Sequence, residues 1–548
     1  MALHVPRAPG FYSMMKEGAR HYAGMDEAVF RNIEACCQMS GMTSTCYGPV
    51  GMNKIVINHI GKHFITKDAA TVLQELEVAH PAAKMLVLSS KQQEQEAGDG
   101  TNLCLMLAGF LLKEAESVLR MGLSPTEVVA GYEKALEMAQ KMLEDQIVGQ
   151  VSDVRDIAQV EPLIRCAVMS KQFGLHERLA RLISEACISV LPQGGHFDVD
   201  RVRVCKVLGG SVDGSRLIGG MVFRRAAEGD VTQVIPESGR VKVAVFACPV
   251  DFLQTETKGT VLMETAAELA NFSVEEERIM EAQVRSLAEA GARVVVSGGK
   301  VGELALHYLN HYNILALRVS SKFDLRRLAT ATGAIALPRL TTPTAEEMGS
   351  CSRVVTQEVG DTNVVVFEED NCKISTVLLR ASTENLLDDL ERAVDDGVNA
   401  YKALTRNPRF VSGGGATEAA LAVKLAAAAE AEPGLEQYAI SRFANALDAV
   451  VKTLATNCCL NGAETLSKIH AELAAGRKHI GIFCDPDSGE SAVANVSERG
   501  LSDLLLVKQW ALRLACRSAC TVLSVDEIIM SRPAGGPKPR GPGGDDDD

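Results

Sequence analysis

Two aspartates, Asp68 and Asp99, precede predicted helices within about thirty residues of each other, and glycines flank the second. In Gly98-Asp99-Gly100-Thr101-Asn102, two glycines, a carboxylate and a hydroxyl open the long apolar run from Leu103 to Leu119. A helix start carries roughly half a positive charge and several unpaired N–H donors, which suits phosphate. A carboxylate beside phosphate oxygens repels them unless a cation lies between, so Asp99 points to magnesium. The same residues also fit plain helix caps, with Asp or Thr satisfying first-turn donors. Asp68, before Ala69-Ala70-Thr71, has the same two readings: one wall of a metal-phosphate pocket, or an unrelated cap.

The elements that must carry these residues are mostly helical. A helix from residue 26 runs into the Gly/Pro turn Tyr47-Gly48-Pro49-Val50-Gly51, and strand-like KIVINHI and HFIT follow. An amphipathic helix is expected from Pro125 to roughly Gln150, then further helices from Val160 to Leu191. Residues 217–374 alternate strands with helices, which predicts an α/β unit around a partly parallel sheet. Within it, Gly298-Gly299-Lys300 lacks the glycine and hydroxyl of a phosphate-binding P-loop, because Val294 and Val301 stand there, so it reads as a strand-to-helix turn. Residues 255–277 break the rhythm with Val261, Leu262, Leu269 and Phe272, either as a mobile apolar excursion or as a covering helix. On the helix from about Thr383 to Leu404, Leu386, Leu390, Ala393 and Gly397 share a face that excludes Asp396; on pattern alone Asp396 is a solvated charge. Ser412-Gly413-Gly414-Gly415-Ala416 then opens another alanine-rich helix, a further place where backbone can approach a ligand. The Pro/Gly-rich tail after Met530 is expected to lack a fold.

Composition bounds the function. With 548 residues, 47% hydrophobic and 4% aromatic, the chain needs several domains and favours a helix-rich mixed fold. A net charge of -14 argues against general nucleic-acid or anionic-membrane binding. Fifteen scattered cysteines without a C-x-x-C pair read as reduced and mostly buried; Cys516 and Cys520, one helical turn apart, read as core. No signal core or membrane-length apolar run is present, so a cytoplasmic protein is expected.

Taken in order, Gly48-Pro49-x-Gly51-Met52-Asn53-Lys54, Asp68-x-Ala70-Thr71-x-Leu73, Gly98-Asp99-Gly100-Thr101, Glu391-Arg392-Ala393-x-x-Asp396 and Gly413-Gly414-Gly415-Ala416-x-Glu418 resemble the motifs of the group II chaperonins, the ATP-driven folding chambers of archaea and the eukaryotic cytosol. QELEVAHPAAKM, GLEQYAI and DEIIMSRPAGGPKP narrow the resemblance to one subunit type of the eukaryotic particle. The resemblance covers the whole chain. It implies a multi-domain α+β and α/β fold: a mainly helical equatorial ATP-binding domain (1–147 and 406–548), an intermediate hinge domain (148–216 and 375–405) and an α/β apical domain with a helical protrusion (217–374). It implies Mg2+ and ATP as cofactors, and as partners paralogous subunits in two stacked eight-membered rings, unfolded proteins such as actin and tubulin, and a prefoldin-like co-chaperone.

The resemblance also assigns residues. Tyr47, Gly48, Pro49 and the Gly98, Asp99, Gly100, Thr101 and Asn102 loop would surround the phosphates, with Asp99 holding magnesium. Asp68 would stand at the γ-phosphate, and Asp396 would swing in with the intermediate domain to orient or activate the attacking water. Lys171 matches a lysine that senses the γ-phosphate; Gly414, Gly415 and Asp503 match positions around the nucleoside, Asp503 as a ribose partner. Val261, Leu262 and Phe272 match the lid-forming protrusion, and Phe323, Arg326 and Arg327 a helix facing cargo. Ala69 replaces a usual glycine and Asn102 a usual threonine, which predicts binding with slow hydrolysis, or a mainly structural ring member. Ala381 stands where the family often has glycine.

Overall fold

The computed structural model describes residues 20–24, 28–194, 196–235, 239–251, 265–369, 373–485, 489 and 491–530. It is a mixed helix and sheet structure organised around several hydrophobic cores. The first core joins both ends of the sequence. Helices Phe30–Ser44, Pro81–Ala97, Thr101–Arg120 and Pro125–Glu144 pack with Ala416–Ala431, Glu436–Asn457 and Leu505–Leu523. Leu107, Leu111, Tyr132, Phe443 and Leu447 are fully buried there. Thr101–Arg120 buries side chains all round because it runs through the middle of this bundle, as its unbroken apolar sequence requires. Strands Arg20–Ala23 and Glu527–Met530 pair antiparallel, tying the two ends together.

The helix expected to reach residue 150 stops at Glu144. Its start is fixed by a reciprocal Ser124–Glu127 capping box with Pro125 in the first turn. Beyond Glu144, Ile147–Gln150 is a strand, where β-branched Ile147 and Val148 gain from pairing with Arg409–Ser412. Ser502–Leu504 completes this three-stranded sheet, which presents Asp503 beside the glycine run after Ser412. The Cys516 and Cys520 pair is buried in the same bundle, and the described cysteines are free thiols.

A second core gathers helices Ile157–Met169, His176–Val190 and Glu384–Arg406 against strands Val202–Leu208 and Ser375–Ala381. These two strands pair in parallel and continue, through Arg216–Phe223, Thr362–Glu368, Arg353–Val359 and Gln233–Val234, into a six-stranded sheet. The remaining sheet contains the expected parallel run. Val241–Phe246, Val294–Ser297, Leu315–Arg318 and Ala336–Leu337 are parallel, and Gly349–Cys351 joins antiparallel. Val243, Val294, Val296, Leu315 and Leu317 are fully buried, as expected for parallel strands covered on both faces.

Gly298-Gly299-Lys300 lies between strand Val294–Ser297 and helix Glu303–His311, the turn the spacing predicts. From Ala266 to Glu289 the chain is one 24-residue helix, so the C-terminal part of the 255–277 stretch is helical and continuous with the helix that follows it. Val261 and Leu262, like the tail beyond residue 530, lie outside the described residues, as does the Phe272 side chain. Among the described residues no helix is long and apolar enough to cross a membrane.

Candidate functional site

Asp68 is the N-cap of helix Ala69–Glu75. Its Oδ2 accepts hydrogen bonds from the Thr71 backbone N–H (2.9 Å) and the Thr71 hydroxyl (2.7 Å). The capping reading is therefore correct but incomplete, because Oδ1 also accepts from Lys171 Nζ. Lys171 lies in the turn after helix Ile157–Met169, and its ammonium approaches Asp396 Oδ2 at 3.0 Å. That second contact is an ion pair without hydrogen-bond alignment, so Asp396 Oδ2 has no hydrogen-bond partner. The pattern-based expectation that Asp396 is solvated does not hold: its side chain is 14% exposed, because residues outside its own helix cover that face.

The electrostatics follow from burial. Desolvation alone would raise Asp68, but Lys171 and Thr71 outweigh it and hold its pKa down at about 2. Desolvation raises Asp396 well above the usual carboxylate range; Lys171 opposes this, while Asp68 and Asp99 add to it. Desolvation would lower Lys171, but Asp396 and Asp68 raise it, so the ammonium stays charged. One cation thus bridges two carboxylates of opposite proton affinity.

Lys171 also lines a cavity, whereas Asp68 and Asp396 stand behind it, off the wall. Stretches around 46–49, 99–103, 166–171, 413–415 and 501–508 line this cavity. They bring Tyr47, Gly48, Pro49, Asp99, Gly100, Thr101, Asn102, Gly414, Gly415 and Asp503 together from remote parts of the sequence. Asn457 Nδ2 fixes the turn at Tyr47 by donating to the carbonyls of Ser44 and Tyr47, both at 2.8 Å. Burial raises the Tyr47 phenol, so it remains protonated.

The 98–102 loop divides its labour. Gly98 is off the cavity wall and ends helix Pro81–Ala97 with φ 73°. A Cβ there would lie 2.0 Å from that of Asn399, so its glycine serves close packing against Glu384–Arg406 rather than approach to phosphate. Asp99 Oδ1 accepts from the Gly100 N–H at 2.6 Å, and Gln93 Nε2 donates to the Asp99 carbonyl at 2.8 Å. Burial raises the Asp99 carboxyl, against Lys171 and the Gly100 N–H. No side chain caps helix Thr101–Arg120, and Thr101, Asn102 and Leu103 line the cavity at its start. Asn102 Nδ2 donates to the Thr43 carbonyl at 3.2 Å, while its buried Oδ1 has no partner. Ala69 is buried and off the wall, so its methyl takes no room from the cavity.

On the opposite side, helix Ala416–Ala431 likewise starts at Gly415 without a side-chain cap. A Cβ on Gly414, which has φ 60°, would meet the Ile482 carbonyl oxygen at 2.4 Å, so only glycine lets this strand-to-helix turn close. Asp503 Oδ2 pairs with Lys508 at 2.9 Å, and Lys508 also binds Glu418. Two lysines of the cavity wall escape the sequence reading. Lys67 Nζ donates to the Pro49 carbonyl at 3.0 Å, and burial, then repulsion from Lys171, lowers its pKa to about 8. Lys508, buried and charged, completes an acid-lysine-acid arrangement; its signal is a lysine inside the apolar run DLLLVK.

The donor set bears on a metal. Among the described residues no three His, Cys, Asp or Glu side chains converge as a metal cage. Asp99 is a lone hard carboxylate beside uncapped helix N–H groups, which fits Mg2+ of the kind completed by substrate phosphates and water, and does not fit a protein-only site. None of Phe323, Arg326 and Arg327, on helix Lys322–Thr332, lines this cavity: Phe323 is 68% exposed and Arg326 is exposed, while Arg327 pairs with Asp324 at 3.1 Å and Asp200 at 3.5 Å.

A fold assembled from both chain ends, with glycine-opened helices around a cavity guarded by aspartates, has a known counterpart. The chain belongs to the TCP-1/cpn60 chaperonin family, whose profile matches residues 39–533. Within that family it is similar to the T-complex protein 1 subunit theta of Gallus gallus and of Homo sapiens, each 54% identical over 541 residues, 98% of this chain and 98% of theirs. The subunit theta of Caenorhabditis elegans is 46% identical over 552 residues, all of this chain and 99% of its own.

Proposed function

We propose that this chain is an ATP-hydrolysing subunit of the cytoplasmic chaperonin TRiC/CCT, taking its place beside paralogues in two stacked eight-membered rings. In this reading 1–147 with 406–548 form the equatorial domain, 148–216 with 375–405 the hinge, and 217–374 the apical domain. Closure of a lid that includes the helical protrusion encloses non-native proteins, actin and tubulin among them, delivered by a prefoldin-like co-chaperone. The exposed Phe323 and Arg326 give the apical helix an apolar and a cationic contact for such cargo.

The observation that carries the reading is Lys171 held between Asp68 and Asp396 at the edge of the glycine-lined cavity. Bound Mg2+ and ATP supply the phosphoryl group and the charge that makes it electrophilic. Asp99 holds the metal, and the uncapped helix starts at Gly100 and Gly415 offer N–H donors to anionic oxygens. Asp396, raised in pKa by burial, is the group suited to accept a proton from water and orient it, and Asp68, kept ionised, helps position that water. Lys171 keeps the two carboxylates together until closure rearranges them.

Asp396→Ala in the assembled particle should retain nucleotide binding and lower hydrolysis at this subunit by about 100-fold or more, the range for losing a positioned proton acceptor. Unchanged single-turnover hydrolysis would remove Asp396 from the chemistry. One observation favours a second reading, a subunit that binds nucleotide but turns over slowly: the Asn102 amide is occupied by the Thr43 carbonyl, and no hydroxyl stands at that position. Subunit-resolved nucleotide occupancy separates the two, since rapid exchange at this subunit excludes the slow version.

A further inference from the structure

A second cavity, of about 420 Å3, opens beside edge strand Val202–Leu208, the end of Arg216–Phe223 and the turn after Leu315–Arg318. Arg203, Lys206, Arg224, Arg225 and Arg318 line it, against one carboxylate, Asp324. That acid is already taken by Arg327 at 3.1 Å. Lys206 is neutralised from behind by Asp388 and Glu391, both at 2.7 Å, and Arg203 acts on Asp395. Among the described residues, Arg224, Arg225 and Arg318 have no carboxylate partner. Arg224 is aimed by a 3.2 Å hydrogen bond to the Lys206 carbonyl, and the Nε of Arg318 is buried without any partner.

Three arginines without a carboxylate partner leave this cavity with an excess of positive charge, which favours an anion there, most of all at Arg318, whose Nε is buried and unpaired. Two further features favour negative charge. Arg318 ends a strand at the carboxyl side of the parallel run, and Ser321, on the same wall, caps the N-terminus of the 11-residue helix Lys322–Thr332. The space is that of a small-molecule site, and the planar fork of arginine matches phosphate. We propose that this cavity binds a compact anion carrying at least two phosphate groups.

The test is equilibrium dialysis of the full chain against radiolabelled tripolyphosphate, with saturating Mg-ADP present to occupy the other cavity. One saturable site is expected, weakening as salt rises and discriminating against orthophosphate. Arg224→Glu, a change at an exposed side chain, and Arg318→Gln should each weaken it at least tenfold, while Arg318→Lys, which keeps the charge but not the planar fork, should weaken it less than Arg318→Gln does. The charge variants report on this cavity whether or not ADP binds at the first. Absence of a saturable site, or equal affinity in Arg224→Glu, overturns the proposal. Tighter binding of hexaglutamate than of tripolyphosphate also overturns it, in favour of an acidic polypeptide.

Discussion

Two lysines in this molecule, Lys508 buried and Lys171 partly buried, each stand between two carboxylates, yet their surroundings differ. Lys508 and its partners Glu418 and Asp503 belong to elements knit tightly together: Leu505–Leu523, Ala416–Ala431 and the strand Ser502–Leu504. The Glu418 side chain is only 4% exposed. Lys171 and Asp396 belong to the second core, whereas Asp68 leads a helix whose Leu73 packs in the first. The same charge arrangement therefore lies within neighbouring elements of one bundle in one place and joins elements of two cores in the other. A buried cation between acids is not itself a sign of chemistry; what sets Lys171 apart is that its two acids come from elements of different cores.

Removing each cation tests this contrast most severely. Lys508→Met leaves Glu418 buried and uncompensated in a packed core and should destabilise the surrounding bundle by about 3–5 kcal/mol. Lys171→Met should cost roughly half of that or less, because Lys171 lines the cavity and Asp68 and Asp396 are already partly exposed. Trp510, the only tryptophan in the chain and two residues beyond Lys508, gives a local fluorescence reading of guanidinium unfolding. Equal midpoint shifts in the two variants would erase the distinction.

A smaller effect separates the two acids of the bridge. Asp68 stays ionised in the folded chain down to a pH of about 2, whereas an unfolded aspartate takes up its proton near pH 3.9. Its contribution to stability, on the order of 2 kcal/mol, is thus fully present above about pH 4 and lost as pH falls from there to about 2. Asp396 runs the other way, since its raised pKa favours the folded state at low pH and penalises it as pH rises through the ordinary carboxylate range. Asp68→Asn should accordingly destabilise the protein at pH 7 and flatten its acid limb. Asp396→Asn should leave stability at pH 7 unchanged or raised. Denaturant midpoints between pH 3 and pH 7 check both signs; parallel losses would show that the two carboxylates act as one unit.

Much of this site is legible in the sequence, for local reasons. Asp68 and the glycines before Thr101 and Ala416 sit at helix starts, and helix starts are written in a few adjacent residues. The valine runs of the parallel sheet are equally direct. The Asp396 environment is not local: its helix shows a polar face, and only the packing of Lys171 from a segment more than two hundred residues earlier shows that this face is covered. Lys508 and Lys67 were hidden because a lone lysine in an apolar stretch reads as a surface charge until its partners are known. Loop glycines suggest ligand approach, yet at Gly98 the Asn399 side chain, remote in sequence, occupies that space. The end of the helix at Glu144 is not legible locally, since strand pairing with Arg409–Ser412 is a long-range event that helical periodicity cannot report.

The smallest predicted effect concerns Asn102, a residue of the cavity wall. Asn102 has one amide hydrogen bond, to Thr43, and one buried oxygen with no partner. Asn102→Thr removes both the bond and the orphaned acceptor, so the two terms oppose each other and folding stability should change by no more than about 1 kcal/mol. What changes is the chemistry presented to the cavity, because a hydroxyl that can donate and accept replaces an amide anchored elsewhere. If Asn102 sets a slow turnover, hydrolysis at this subunit should rise a few-fold while nucleotide affinity stays within about threefold, a difference under 1 kcal/mol. Single-turnover measurement on the assembled particle reads both. An unchanged rate would move the origin of slow turnover away from the loop and onto the Lys171 bridge, whose opening would then limit the cycle.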